Sequence, residues 1–200
     1  MQLENYYWCF HGAIPSRICD DIVAYGKELK EQTGVTFGYD PDNMTPNEQK
    51  KLEEKRNSNV VWMDPVWIYR ELHPLVHEAN KNAGWNFHWD YSESCQFTKY
   101  IGSKKQHYDW HTDSGTKINE NGKIRKLSMT VALVDGSEYE GGNFEVNFNE
   151  PNREDIHVIK PARQKGSVTI FPSFVWHRVT PVTSGTRYSL VNWHQGRPFV

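Results

Sequence analysis

The spacing of apolar positions changes character partway along the chain. Ile18, Ile22, Val23, Ala24 and Leu29 recur at helical spacing and predict an amphipathic helix, capped by Ser16 and running to about Lys30. Residues 32–44 are rich in Gly, Asp, Pro and Asn and read as a loop. Thr45-Pro46-Asn47-Glu48 is then a capping-box pattern with proline at the first helical position, opening a helix to about Arg56. That helix has almost no apolar face and gains little from burial, so residues 32–57 together read as a mobile lid. Asn59-Val60-Val61-Trp62-Met63 reads as a strand. Asp64 is placed to cap a third helix with Pro65 at its first position and Trp67, Ile68, Leu72, Leu75, Val76 and Ala79 as its stripe. Pro74 is expected to kink or break that helix, and Gly84 stands where a C-terminal cap belongs.

From Trp85 onward the helical spacing gives way to short apolar runs separated by Gly, Asn, Asp and Pro. The candidate strands are Trp85–Trp89, Cys95–Ile101, Leu127–Val134, Gly142–Val146, Ile156–Ile159, Ser167–Phe171, Trp176–Val179 and Arg187–His194. Helices first and many short strands after predict a single α+β domain over residues 1–200. Its two-sheeted barrel, residues 85–200, is braced by helices from residues 1–84.

Composition narrows the function classes. With 200 residues, 37% hydrophobic and 14% aromatic, the chain can bury a real core. A net charge of -2 with scattered basic residues excludes a whole-surface nucleic-acid partner. No apolar run reaches the roughly 18 residues of a membrane span, and Met1–Asn5 lacks the basic start of a cleaved signal. Cys9, Cys19 and Cys95 are odd in number, widely spaced and without a CxxC pair. They read as idle thiols in a reducing compartment, hence the cytoplasm.

The sharpest chemical feature is Tyr108-Asp109-Trp110-His111-Thr112-Asp113. Residues two apart on an extended segment point to one side, so His111 and Asp113 can offer a nitrogen and an oxygen to the same point. A third ligand must come from elsewhere. His177 follows Asp113 by 64 residues, and Arg187 follows His177 by ten. A hairpin returning through Ser184-Gly185 would bring Arg187 alongside His177. Two histidines and one carboxylate with open positions beside them suit a non-haem Fe(II) oxygenase. A zinc hydrolase uses similar mixed sites but has no need of an arginine at a fixed interval from the distal histidine.

With these pieces in place, the sequence resembles the prolyl-4-hydroxylase-type branch of the Fe(II)/2-oxoglutarate oxygenases. The resemblance rests on His111 and Asp113, the distal His177, Arg187 ten positions on, and Glu140-Gly141-Gly142-Asn143-Phe144, which is similar to the family's acidic-Gly-Gly turn. Tyr100 resembles the tyrosine that precedes the HxD segment, and Trp193 matches a family aromatic. The resemblance implies a double-stranded β-helix (jelly-roll) core, iron on His111, Asp113 and His177, and the far carboxylate of 2-oxoglutarate on Arg187. It adds Ser189, Tyr100 and Ser128 to the cosubstrate contacts, while Ala132 departs from the pattern by standing where some relatives carry a tyrosine. It implies O2 as oxidant, ascorbate as accessory reductant, and hydroxylation of a prolyl residue in a peptide or protein with release of succinate and CO2. Tyr108, Trp110, Trp176 and Trp193 are the candidate substrate lining. Hydroxylation of another side chain or of a free amino acid, or a silent metal-binding jelly roll, stays open at this point.

Overall fold

A computed structural model describes residues 3–36, 43–114, 118–148 and 155–199. In chain order the first elements are β1 (Trp8–Phe10), α1 (Ser16–Glu28), β2 (Gln32–Thr33), α2 (Pro46–Lys55), β3 (Arg56–Asn57), β4 (Asn59–Met63), α3 (Val66–Asn82) and β5 (Tyr91–Ser92). The strands that follow are β6 (Cys95–Ile101), β7 (His107–His111), β8 (Ile124–Ala132), β9 (Tyr139–Gly141) and β10 (Phe144–Asn147). The last are β11 (Ile156–Val158), β12 (Val168–Pro172), β13 (Trp176–Val179) and β14 (Val182–Gly196). Among the described residues no helix is long and apolar enough to cross a membrane.

The strands form two sheets. The larger runs β1-β12-β8-β14-β6-β4-β2, with β5 and β9 also pairing β14; the smaller runs β11-β10-β13-β7-β3. Two apolar clusters follow from alternation along these strands. One joins Cys19 and Ile22 of α1 and Ile68, Leu72, Val76 and Ala79 of α3 to Phe97, Met129, Val131 and Leu190 of the large sheet. The other lies between the sheets and contains Tyr100, Phe144, Val146, Phe171 and Val179. The protein is thus mostly β, with two sheets and three longer helices among the described residues.

Several local expectations are corrected. Ser16 is the first residue of α1, not its cap; Pro15 holds that position without a side-chain bond, and the helix ends at Glu28. Asp64 does not cap α3, which starts after Pro65. Its carboxylate accepts from Tyr69 Oη at 2.9 Å and Ser94 Oγ at 3.0 Å instead. Pro74 does not break α3, which runs through it. Trp85–Trp89 forms no strand; Trp85 and Phe87 are buried from an irregular segment whose turns Asn80 stabilises through Phe87 N and O. The capping box at Thr45 and Glu48 is present as expected, and α2 buries only Leu52.

The Ser184-Gly185 hairpin is also absent. β13 and β14 belong to different sheets, and the chain crosses between them at Thr180-Pro181. Gly185 sits inside the β14 ladder opposite Tyr139, at φ +70°, where a Cβ would lie 2.1 Å from Glu138 O. Only glycine fits so close an approach at that φ. Arg187 and His177 therefore meet across the gap between sheets, not along one hairpin.

Candidate active site

His111 ends β7 and His177 lies on β13, and the two are direct cross-strand partners. Asp113 follows β7 in a loop pinned by Ser173, whose carbonyl accepts from Asp113 N at 2.8 Å and Ser114 N at 2.9 Å. His111 Nε2 is 3.8 Å from Asp113 Oδ1, and His177 Nε2 is 3.5 Å from Asp113 Oδ2. These separations exceed a hydrogen bond. They suit donors arranged around one ion, and the three ligand atoms lie within 4.8 Å of one another. Each imidazole donates Nδ1–H to a backbone carbonyl, His111 to Asp109 O at 2.7 Å and His177 to Val175 O at 3.0 Å. That fixes the tautomer and leaves both Nε2 lone pairs for a metal. The donor set, two neutral imidazoles and one carboxylate, fits Fe(II).

Electrostatics agree with that division. Burial pushes His111 well below its ordinary value, with the second imidazole adding to the effect, so it stays neutral. Burial alone would raise the Asp113 carboxyl, but His177, His111 and Arg125 outweigh it and hold it at about 2. The Ser128 hydroxyl also favours the charged carboxylate. Ser128 is fully buried, 2.9 Å from Ser173 Oγ, and does not line the cavity.

The triad opens into a cavity between the sheets. The large sheet contributes Tyr100 from β6 and Arg187, Ser189, Val191 and Trp193 from β14. Arg187 and Tyr100 are cross-strand partners, and the Arg187 guanidinium carbon is 5.5 Å from the Tyr100 ring centre. Arg187 is 3% exposed and donates Nη1–H to Ser189 Oγ at 3.1 Å. Among the described residues no carboxylate lies within ion-pair distance of it. A buried cation so placed fits the far carboxylate of a dicarboxylic acid whose other end reaches the metal. Ser128, Thr130 and Ala132 share one face of β8, opposite Trp193, Val191 and Ser189. Ala132 brings only a methyl group to that wall.

Of the aromatic candidates, Tyr108 and Trp193 line the cavity, whereas Trp110 and Trp176 do not. Alternation sends Trp110 to the far face of the small sheet, under the Arg178 guanidinium at 4.6 Å, and Trp176 neighbours Arg178 and the ligand His177 with the opposite orientation to His177. Tyr108 reaches the cavity because β7 carries an extra residue between its pairings with His177 and Val179. This bulge sets Tyr108 and His111 on one face, their rings stacked at 3.5 Å. Burial raises the Tyr108 phenol to about 12 and raises Tyr100 as well, so both remain hydrogen-bond donors.

Sequence reasoning missed Arg56, Gln96, Thr98 and Thr130, all on the cavity wall. Gln96, Thr98 and Tyr100 alternate along β6, so the spacing was visible for those three. Arg56 arrives through β3, a two-residue strand paired to β7 with Arg56 opposite Tyr108. Nothing local in the sequence announces that pairing.

Similarity to known proteins bears on the same residues. Over 185 residues the chain is 30% identical to a PKHD-type hydroxylase of Hyphomonas neptunium, covering 89% of this chain and 73% of that protein. A shorter match, 35% over 91 residues, relates it to a PKHD-type hydroxylase of Synechococcus sp. strain CC9605, covering 46% of this chain but only 37% of that protein. In fold it is similar to a prolyl hydroxylase from Trichoplax adhaerens in complex with a hypoxia-inducible-factor peptide fragment. That match has a TM-score of 0.68 and 18% identity, over 96% of this chain and 84% of that one. The family model described as the 2OG-Fe(II) oxygenase superfamily matches residues 95–195. Those residues include His111, Asp113, His177, Tyr100 and Arg187, and the chain belongs to that superfamily.

Proposed function

We propose that the protein hydroxylates a prolyl residue of an extended peptide, with His111, Asp113 and His177 holding Fe(II) and Arg187 and Ser189 holding 2-oxoglutarate. The observation that carries this reading is the convergence, in one cavity, of the triad and a buried arginine that has no carboxylate at ion-pair distance among the described residues. When bound, iron and 2-oxoglutarate supply the oxidant for a C–H bond, with O2 consumed and succinate and CO2 released. The chain's own part is positional. Asp109 O and Val175 O orient the two imidazoles, Ser173 O fixes the aspartate loop, and Tyr100 offers a protonated phenol beside the Arg187 guanidinium.

The prolyl target is supported by the similarity in fold to the peptide-bound prolyl hydroxylase and by the aromatic wall of Tyr108 and Trp193, to which exposed Trp62 adds a ring 6.0 Å from Trp193. Proline-rich segments lose little entropy when they dock on aromatic rings. We extend the proposal to three further points. The helices α1 and α3 brace the large sheet through the cluster they share with it. Residues 32–57 close over the bound peptide, although 37–42 lie outside the described residues. The three unpaired cysteines, each with its thiol pushed up by burial, serve no chemistry and suit the cytoplasm.

The test is turnover of a proline-rich peptide, with Fe(II), 2-oxoglutarate and ascorbate, against free L-proline and the same peptide with Pro replaced by Ala. Succinate release and one added oxygen are expected on the proline peptide alone, and Asp113→Ala should abolish both. Faster hydroxylation of free proline, or succinate release by the Ala peptide above background, removes the peptidyl-proline reading. No succinate from any probe favours the silent binding module.

A further inference from the structure

The cavity is lined by two guanidinium groups, and the cosubstrate accounts for one. Arg56 is 6% exposed, and its guanidinium carbon lies 4.5 Å over the Tyr108 ring. Its Nε donates to Ser58 Oγ at 3.0 Å, Nη1 to Val35 O at 3.0 Å and Nη2 to Gln96 Oε1 at 2.7 Å. All three acceptors are neutral. Among the described residues no carboxylate comes within ion-pair distance of it. A guanidinium has five N–H donors, so its two terminal nitrogens each keep one free.

The other cations near the cavity are satisfied. Arg125, stacked 4.0 Å over Trp193, gives two bonds to the Glu93 carboxylate at 2.5 Å, and Arg178 pairs with Glu145 at 2.7 Å. Among the described residues, the charges lining the cavity are Arg56, Arg187 and Asp113. Divalent iron adds two positive charges and 2-oxoglutarate two negative ones, which leaves one positive charge over. With the cosubstrate spanning Arg187 and the metal, that excess resides on Arg56. Its three neutral acceptors and the Tyr108 ring offset part of the cost of burying this cation, and among the described residues no anion offsets the rest.

We propose that Arg56 receives a carboxylate carried by the substrate, so that the preferred target is a proline with an acidic group beside it. The carboxylate is either that of a flanking Asp or Glu, or the prolyl residue's own C-terminal carboxylate. The site is well placed for this: the Tyr108 ring alone separates Arg56 from the ligand His111. The Val35 bond also ties the arginine to the segment preceding residues 37–42. The proposal rests on the reading that Arg187 holds the cosubstrate.

The experiment uses the full chain loaded with Mn(II) and saturating 2-oxoglutarate under anaerobic conditions, with affinities read by calorimetry. One pair of probes is N-acetyl-L-proline and N-acetyl-L-prolinamide. The second is an amidated, acetylated Gly-Pro-Asp-Gly peptide and its Asn counterpart. In at least one pair the carboxylate member should bind tenfold or more tighter than its neutral isostere, and the pair showing the gap names the source of the carboxylate. Arg56→Gln should erase the gap and leave the 2-oxoglutarate Kd within about twofold, while Arg56→Lys should retain part of the preference. Equal binding within both pairs overturns the proposal, as does absence of measurable binding by every probe. A rise in the 2-oxoglutarate Kd in Arg56→Gln to match that in Arg187→Gln also overturns it, by assigning Arg56 to the cosubstrate. Failure of the wild type to bind 2-oxoglutarate at all would instead remove the underlying reading.

Discussion

Replacing Arg187 by Gln tests the cosubstrate assignment most directly. The side chain is 3% exposed, donates to Ser189 Oγ at 3.1 Å and has no acidic partner among the described residues. The substitution removes a buried charge while leaving a polar group that can still reach Ser189. Losing a charge-assisted contact while its partner stays buried costs about 2–5 kcal/mol. At about 1.4 kcal/mol per factor of ten, the 2-oxoglutarate Kd should rise roughly 30-fold to 4,000-fold. The upper part of that range is favoured, because Ala132 stands opposite Ser189 without a hydroxyl to share the load. Ser189→Ala should cost only about 0.5–1.5 kcal/mol, the net worth of an ordinary hydrogen bond. The assay is anaerobic titration of the Fe(II) protein with 2-oxoglutarate, followed by the metal-to-ligand charge-transfer band. Iron affinity should be unchanged in both variants. Loss of iron with normal cosubstrate affinity, or an equal penalty for Ser189→Ala, refutes the reasoning.

Two further outcomes follow from the same geometry. Burial holds His194 at about 3, with His73 and His77 adding to the effect, against about 6.5 in the unfolded chain. Below pH 6.5 the unfolded chain therefore takes up a proton that the folded one refuses, and stability falls with pH, by about 2 kcal/mol at pH 5. Urea midpoints from pH 7 to 5 should show this slope, and His194→Gln should flatten it; an unchanged slope assigns the acid lability elsewhere. Amides of α2, whose one buried side chain is Leu52, should exchange faster than those of α3 in the free protein and slow when peptide binds; protection equal to that of α3 without peptide would contradict the lid.

What was legible in the sequence was what is local. The Thr45 capping box needs only Glu48, three residues on, and it formed. Ser16 and Asp64 have the composition of caps but did not serve as them. Asp64 found Tyr69 and Ser94, and partners made available by tertiary packing displaced the local bond. The HxD pair was readable from alternation. The inward turn of Tyr108 was not, because a bulge resets alternation by one residue and leaves no composition signal. Arg56 was invisible for a related reason: its position depends on pairing with a strand about 50 residues away.

The way the site is divided between the sheets bears on how it works. His111 and His177 lie on the small sheet and Asp113 follows it, whereas Arg187, Ser189 and Tyr100 belong to the large one. A cosubstrate joining the metal to Arg187 must therefore bridge the two sheets, and its fit depends on the gap between them. Phe144 and Phe171 set that gap from within the intersheet cluster, each ring packed against His177 at 5.8 Å and 4.6 Å. Close-packed cores transmit small volume changes instead of absorbing them. The same aromatic pair, packed against His177 between the sheets, thus helps set the separation of the triad from Arg187, so the fit of any cosubstrate spanning the two would depend on core packing as well as on the arginine.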